Sequence, residues 1–219
     1  MINKGLFISF EGPEGSGKTT IIKLLEEKLN NLISSKSINY SSVLATREPG
    51  GKNNLLAEEI RNIILNKNHF VIPNITEALL FAASRSTHVE NTIKPFLNKN
   101  GIVLSDRYLD SSVIYQGIGK NIGIKKVLEI NSYAIDGLLP NITFYFDLDP
   151  TIGLARIKNN NRDTNRFDNV SLEEHINIAN AYKQYLSNID RVCFVDADQS
   201  IDKIVDFCLN KILTFIKEQ

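Results

Sequence analysis

The residues best placed by type and spacing to do chemistry are Gly12, Pro13, Glu14, Gly15, Ser16, Gly17, Lys18 and Thr19, which read GPEGSGKT and are followed by Thr20. Two glycines separated by four residues and then Lys and Ser/Thr form the pattern of a loop that cradles phosphates. Glycine lets the backbone turn tightly, so that successive amides face the anion, and the helix that follows presents its positive end to it. Lys18 adds a point charge on the outer phosphates, and the Thr19 hydroxyl is the expected protein ligand of Mg²⁺. The bland alternative is a glycine-rich turn with an accidental GKT. The position of the motif, after a predicted strand and before a predicted helix, argues for ATP or GTP binding instead.

A second group shares this preference for anions. Arg47, Asp106 and Arg107 fall at the ends of predicted strands, the end at which open α/β sheets bind ligands. Two planar guanidiniums there can grip one phosphate, which an ammonium does less well. Taken singly, each arginine reads equally as a surface ion pair of little energetic worth. Phe81 and Arg85 stand four residues apart on a helix predicted from Ile75 to about Leu97, so they share a face where a ring and a guanidinium meet one base. A core phenylalanine beside a solvent-facing arginine is the structural alternative.

The elements that must position these groups are legible as short apolar runs at Leu6–Phe10, Val43–Ala45, Ile102–Leu104, Ile142–Phe146 and Val192–Val195, separated by segments of helical period. Five strands alternating with helices predict an α/β fold whose five-stranded parallel sheet is flanked by helices on both faces. Asp149 and Pro150 read as an N-cap followed by proline at the first helical position, and Asn100–Gly101 turns the chain into the third strand. With no internal repeat or linker, residues 1–219 are expected to form a single domain. The polar, basic stretch Lys158–Val170, KNNNRDTNRFDNV, is expected to be a mobile lid.

The 25 basic and 25 acidic residues cancel, so no net field draws the chain to a membrane or a nucleic acid, and anion recognition must be local. Two cysteines, Cys193 and Cys208, do not make a disulfide framework and suit a reducing cytosol. MINKGLFISFEG lacks a signal-peptide core, and no apolar run is long enough to span a bilayer, so a soluble cytoplasmic protein is expected. His69, His88 and His175 are scattered without the i, i+4 spacing or acidic partners expected of a metal site, which favours solvated or packing roles over ligation. Asp147 and Asp149 end a strand and begin a helix, which favours capping for Asp149 over a carboxylate pair.

Six segments taken in order, FEGPEGSGKTT, TREPGG at Thr46–Gly51, LLFAASR at Leu79–Arg85, SDRY at Ser105–Tyr108, YQG at Tyr115–Gly117 and LDP at Leu148–Pro150, closely resemble thymidylate kinase of the bacterial type over nearly the whole chain. The resemblance implies a P-loop NTPase fold, ATP as donor with Mg²⁺, dTMP as acceptor, and a homodimer. It assigns Arg47 and Arg107 to the acceptor phosphate, Phe81 to stacking on thymine, and Arg85 to a base carbonyl. Ser112 falls near the pyrimidine edge, Ser111 is assigned with it to dTMP binding, Tyr115 crowds the sugar 2′ position, and Gln116 continues the pocket wall. Glu11 resembles the acidic residue near the 3′-OH, with capping of the loop and, for Tyr115, packing as alternatives. Pro49 follows either a cis bond, as in the family, or an ordinary trans turn.

Phosphoryl transfer needs alignment and charge neutralisation more than proton chemistry. Lys18 holds the donor, Arg47 and Arg107 hold the acceptor, and Asp106 orients either Mg²⁺ waters or Arg47. One branch of the family supplies a further arginine from the phosphate loop, where this chain has Glu14. The bacterial branch supplies it from the lid, which makes Arg162 and Arg166 the candidates, with Arg156 on the helix before them. Asn165 precedes Arg166 where the family often has Asp, so which arginine acts stays open. The nearest rival, a deoxynucleoside kinase, would not need two arginines on an acceptor phosphate. A GTPase-like switch would need an N-K-x-D segment, and Asn98–Gly101 reads NKNG.

Overall fold

Leu6–Glu11 is buried along its whole length, which only a strand covered on both faces can be. Its alternation divides the core. Leu6, Ile8 and Phe10 pack with Ile21, Leu25 and Leu29 of one helix and Val205, Cys208 and Ile212 of another, whereas Phe7 points to the other face, among Val89, Ile93, Leu97 and Tyr108. The computed structural model describes residues 5–51, 53–65, 71–159 and 171–219. Within them, β1 (Leu6–Glu11), β2 (Val43–Arg47), β3 (Ile102–Asp106), β4 (Ile142–Asp147) and β5 (Val192–Asp196) form one parallel sheet in the order β2-β3-β1-β4-β5.

The fold is the predicted α/β architecture. Each strand runs one or two residues past its apolar core, adding Glu11, Thr46 and Arg47, Ser105 and Asp106, Asp147, and Asp196. Ladder pairing uses only the backbone, so charged residues continue the strand at the end that faces ligand. The register puts Arg47 opposite Asp106 and Phe10 opposite the same Asp106, so the ends of β2, β3 and β1 meet at one level.

Helices α1 (Lys18–Ser34), α2 (Leu55–Leu65), α3 (Asn74–His88), α4 (Lys94–Asn98), α5 (Leu109–Ser112), α6 (Ile124–Ile135), α7 (Pro150–Asn159), α8 (Leu172–Leu186) and α9 (Ile201–Lys217) connect and cover the sheet. The helix predicted from Ile75 to Leu97 is instead α3 and α4 joined by a wider turn at Val89–Ile93. Pro95 explains the break in pattern, because its ring clashes with the carbonyl four residues earlier and it has no N–H to donate. Asp149 does cap α7: its Oδ1 accepts from Thr151 N and Thr151 Oγ1. Among the described residues no helix is long and apolar enough to cross a membrane.

Candidate active site

The loop between β1 and α1 closes on itself around Lys18, whose Nζ donates to Gly12 O at 3.1 Å, Pro13 O at 2.8 Å and Ser16 Oγ at 3.1 Å. Gly15 has φ +74, and a Cβ there would lie 2.2 Å from the carbonyl oxygen of Gly153. The loop backbone therefore sits directly on α7, and no larger residue fits. Burial first, then the Arg107 charge, pushes the Lys18 ammonium down to about 8 against the pull of Asp106, Glu14 and Glu11. A buried cation with its ordinary charge disfavoured is suited to receive an anion. Thr19 Oγ1 donates to Asp106 Oδ2 at 2.7 Å, so two hard oxygen donors from α1 and β3 stand together, the donor type that Mg²⁺ takes from protein.

Across the strand ends, Arg107 adopts φ +73, a left-handed backbone that a non-glycine residue takes only when its surroundings impose it. Ser105 Oγ donates to Arg107 O, and Arg107 N donates to Phe10 O. Its guanidinium reaches Glu14 Oε1 at 2.7 Å, Ser111 Oγ at 3.0 Å and Tyr182 OH at 3.1 Å, and lies over the Tyr115 ring. Arg47 donates to Glu58 Oε2 at 2.8 Å, and Glu58 Oε1 accepts from Gly51 N. The peptide between Glu48 and Pro49 is cis.

A cleft of about 940 Å³ joins these groups. It is lined by Glu14 through Thr20, by Arg47, Pro49, Asp106 and Arg107, and by Phe81, Arg85, Ser111, Ser112, Tyr115 and Gln116. Phe81 and Arg85 thus share a cavity face as expected, but Arg85 is only 2% exposed. Its Nε donates to Glu48 Oε2, Nη1 to Asn131 Oδ1, and Nη2 to Tyr108 O and Ser112 Oγ. Gln116 donates to Glu77 Oε1 at 3.0 Å.

Not every predicted site residue reaches the cleft. Gly12 and Pro13 stand behind its wall and contribute the carbonyls that hold Lys18. Glu11 is fully buried; it accepts from Tyr108 N, Ser111 Oγ and Tyr182 OH and is not among the lining residues. Burial chiefly, and Asp110 next, raise its carboxyl to about 7. It joins the strand end to α5 and α8 instead of facing the cleft, and Glu14 is a carboxylate that lines the cleft. Arg162 and Arg166 lie outside the described residues, as does most of the predicted lid.

Several lining residues carry no sequence motif. Arg61 on α2 lines the cleft and donates to Pro49 O at 2.6 Å. Arg156, Ala197, Gln199 and Ile201 line its other end, where Arg156 Nη1 donates to Ala197 O. Only the approach of α2, α7 and the β5–α9 turn to the strand ends reveals them.

The model of the family described as "Thymidylate kinase" matches residues 10–208. A thymidylate kinase of Clostridium novyi is 44% identical over 207 residues, covering 94% of this chain and 97% of the relative. Another, of a Geobacillus species, is 44% identical over 216 residues, covering 98% and 99%. A third, of Bacillus licheniformis, is 43% identical over 216 residues, covering 98% of each. With the phosphate loop, the paired strand-end arginines and the cleft all inside the matched region, this chain belongs to the thymidylate kinase family.

Proposed function

We propose that the chain transfers the γ-phosphoryl of ATP to dTMP, giving ADP and dTDP for dTTP synthesis, and that the one cleft holds both nucleotides. The observation that carries this reading is that Lys18 and the loop backbone open on the same cavity as Arg47, Arg107, Phe81 and Arg85. Lys18 and the loop amides hold the donor phosphates. Arg107, already tied to Glu14, and Arg47, tied to Glu58, face the acceptor phosphate, with Arg61 beside them. Phe81 offers a ring to the base, and Arg85, held by Glu48, Asn131 and Ser112, offers a fixed guanidinium. Tyr115 fills space next to Arg107 where a 2′-hydroxyl would crowd it.

Thr19 and Asp106 are the residues that would hold Mg²⁺, whose charge, when bound, offsets that of the transferring phosphoryl. The γ-phosphoryl also needs a cation from the open side, the role assigned from sequence to Arg162 or Arg166. We read residues 1–219 as one kinase domain working as a homodimer in the cytoplasm. The free thiols Cys193 and Cys208 support a reducing compartment. Exposed Leu55, Leu56 and Ile63 on α2, Ile75 and Leu79 on α3, and Leu128 on α6 support an isologous apolar contact.

The test is ADP formation from Mg·ATP with dTMP, dUMP, UMP, dCMP, AMP, GMP and thymidine as acceptors. Strong preference for dTMP is expected. One methyl distinguishes dUMP, so its kcat/KM should fall by roughly 10–200-fold and stay measurable. Equal kcat/KM for the two would refute a thymine-shaped pocket, and turnover independent of any acceptor would refute the kinase reading.

A further inference from the structure

We infer that His88 is a positioning residue for base recognition, acting through Glu48 on Arg85; the inference rests on the proposed base-reading role of Arg85. Arg85 and Glu48 are both buried, 2% and 5% exposed, so the guanidinium depends on that carboxylate for its charge balance. Glu48 gives Oε2 to Arg85 Nε at 2.7 Å and Oε1 to His88 Nδ1 at 3.1 Å. Arg85 and His88 are one helical turn apart on α3 and therefore share a face. Together they hold both oxygens of a carboxylate that comes from the turn after β2, so it has no free rotation.

The His88 ring is itself locked. It has no exposed surface, and Nε2 lies 2.8 Å from Thr46 Oγ1. A Cβ on Gly51 would meet its Cδ2 at 2.4 Å. A carboxylate can only accept, so Nδ1 carries the proton, and in the neutral ring Nε2 accepts from the Thr46 hydroxyl. A residue present only for packing has no need of two ring nitrogens matched to two different partners. Thr46, Glu48 and Gly51 all flank Arg47 and the cis peptide, so one imidazole ties the turn that carries an acceptor-phosphate arginine to the arginine that faces the base. The geometry makes phosphate and base recognition parts of one buried network.

Two substitutions separate the two ring nitrogens. The amide of His88→Asn reaches the Nδ1 position and can still donate to Glu48, whereas that of His88→Gln reaches the Nε2 position and cannot. The expected result is a dTMP KM within about threefold of wild type for His88→Asn but raised on the order of tenfold for His88→Gln, the loss of a hydrogen bond to a charged group. The KM for ATP should not move in either variant, and kcat should change less than the dTMP KM. Equal dTMP KM values in the two variants, or parallel shifts in the ATP and dTMP values, overturn the proposal. If either variant fails to fold, Thr46→Val, which loses the same Nε2 contact that His88→Asn loses, must raise the dTMP KM about threefold with ATP unaffected, the scale of a neutral hydrogen bond, and a wild-type value there overturns it equally. Arg85→Lys is measured alongside: an unchanged dTMP KM there removes the base-reading role and the inference with it, whereas a raised KM with no His88 effect refutes His88 alone.

Discussion

Arg107 Nη2 donates to Glu14 Oε1 across 2.7 Å, a contact that links the phosphate loop to the far side of the cleft. Burial works against the Arg107 charge, but Tyr115, Glu14, Tyr182 and Asp106 outweigh it and hold the guanidinium well above its ordinary pKa. The cation is therefore permanent and fixed in direction before any acceptor arrives.

Arg107→Lys keeps a charge but cannot reproduce the fork to Glu14, Ser111 and Tyr182. It should raise the dTMP KM and lower kcat, with kcat/KM falling on the order of 30–100-fold, the scale of charge-assisted hydrogen bonds. Steady-state kinetics with ATP saturating would check this, and calorimetric ATP affinity should stay within a few fold.

The cation assigned from sequence to the open side of the γ-phosphoryl predicts that Arg162→Ala or Arg166→Ala lowers kcat strongly, on the order of 10³-fold for the arginine that acts, while ATP affinity stays near wild type. Single-turnover measurements separate the two effects. Wild-type turnover in both single variants would sink the assignment.

Lys18 gives a protonation signature. Its folded pKa of about 8 lies below the ordinary lysine value because of burial and Arg107, and a bound triphosphate favours the charged form and raises it again. Nucleotide binding near pH 8 should therefore take up a fraction of a proton. Calorimetric titration in buffers of different ionisation enthalpy would show it, and Lys18→Arg, charged throughout, should lose it.

Glu11 predicts a stability trend of defined sign. Its folded pKa, raised to about 7 by burial and then by Asp110, exceeds the ordinary value of 4.5, so the folded state binds more protons between these values. Its contribution is fully present below about pH 4.5 and is lost as pH rises through 7. Tm measured from pH 5 to 7.5 should fall less steeply in Glu11→Gln than in wild type, by several degrees over the range. An unchanged slope would show that Glu11 does not titrate there.

Much of this protein was determined by sequence alone. The GPEGSGKT loop, the parallel sheet, the strand-end placement of Arg47, Asp106 and Arg107, and the shared face of Phe81 and Arg85 follow from local pattern, because backbone turns and helical periods are set by neighbours in the chain. The apolar runs stop short of the strand ends because charged residues carry no apolar signal even where the ladder continues through them. What only the tertiary structure decided are contacts between distant segments. Glu11 reads as a ligand group next to the loop, yet Tyr108, Ser111 and Tyr182 enclose it. The acidic residue nearest His88 along the chain, Glu90, pairs with Lys94, and it is Glu48 that reaches the ring, from 40 residues away. Arg61 and Arg156 belong to no motif and arrive with their helices. The physical reason is common to all four: burial and hydrogen-bond partnership are set by which elements pack together, and that packing is a property of the sheet order, not of any local run of residues.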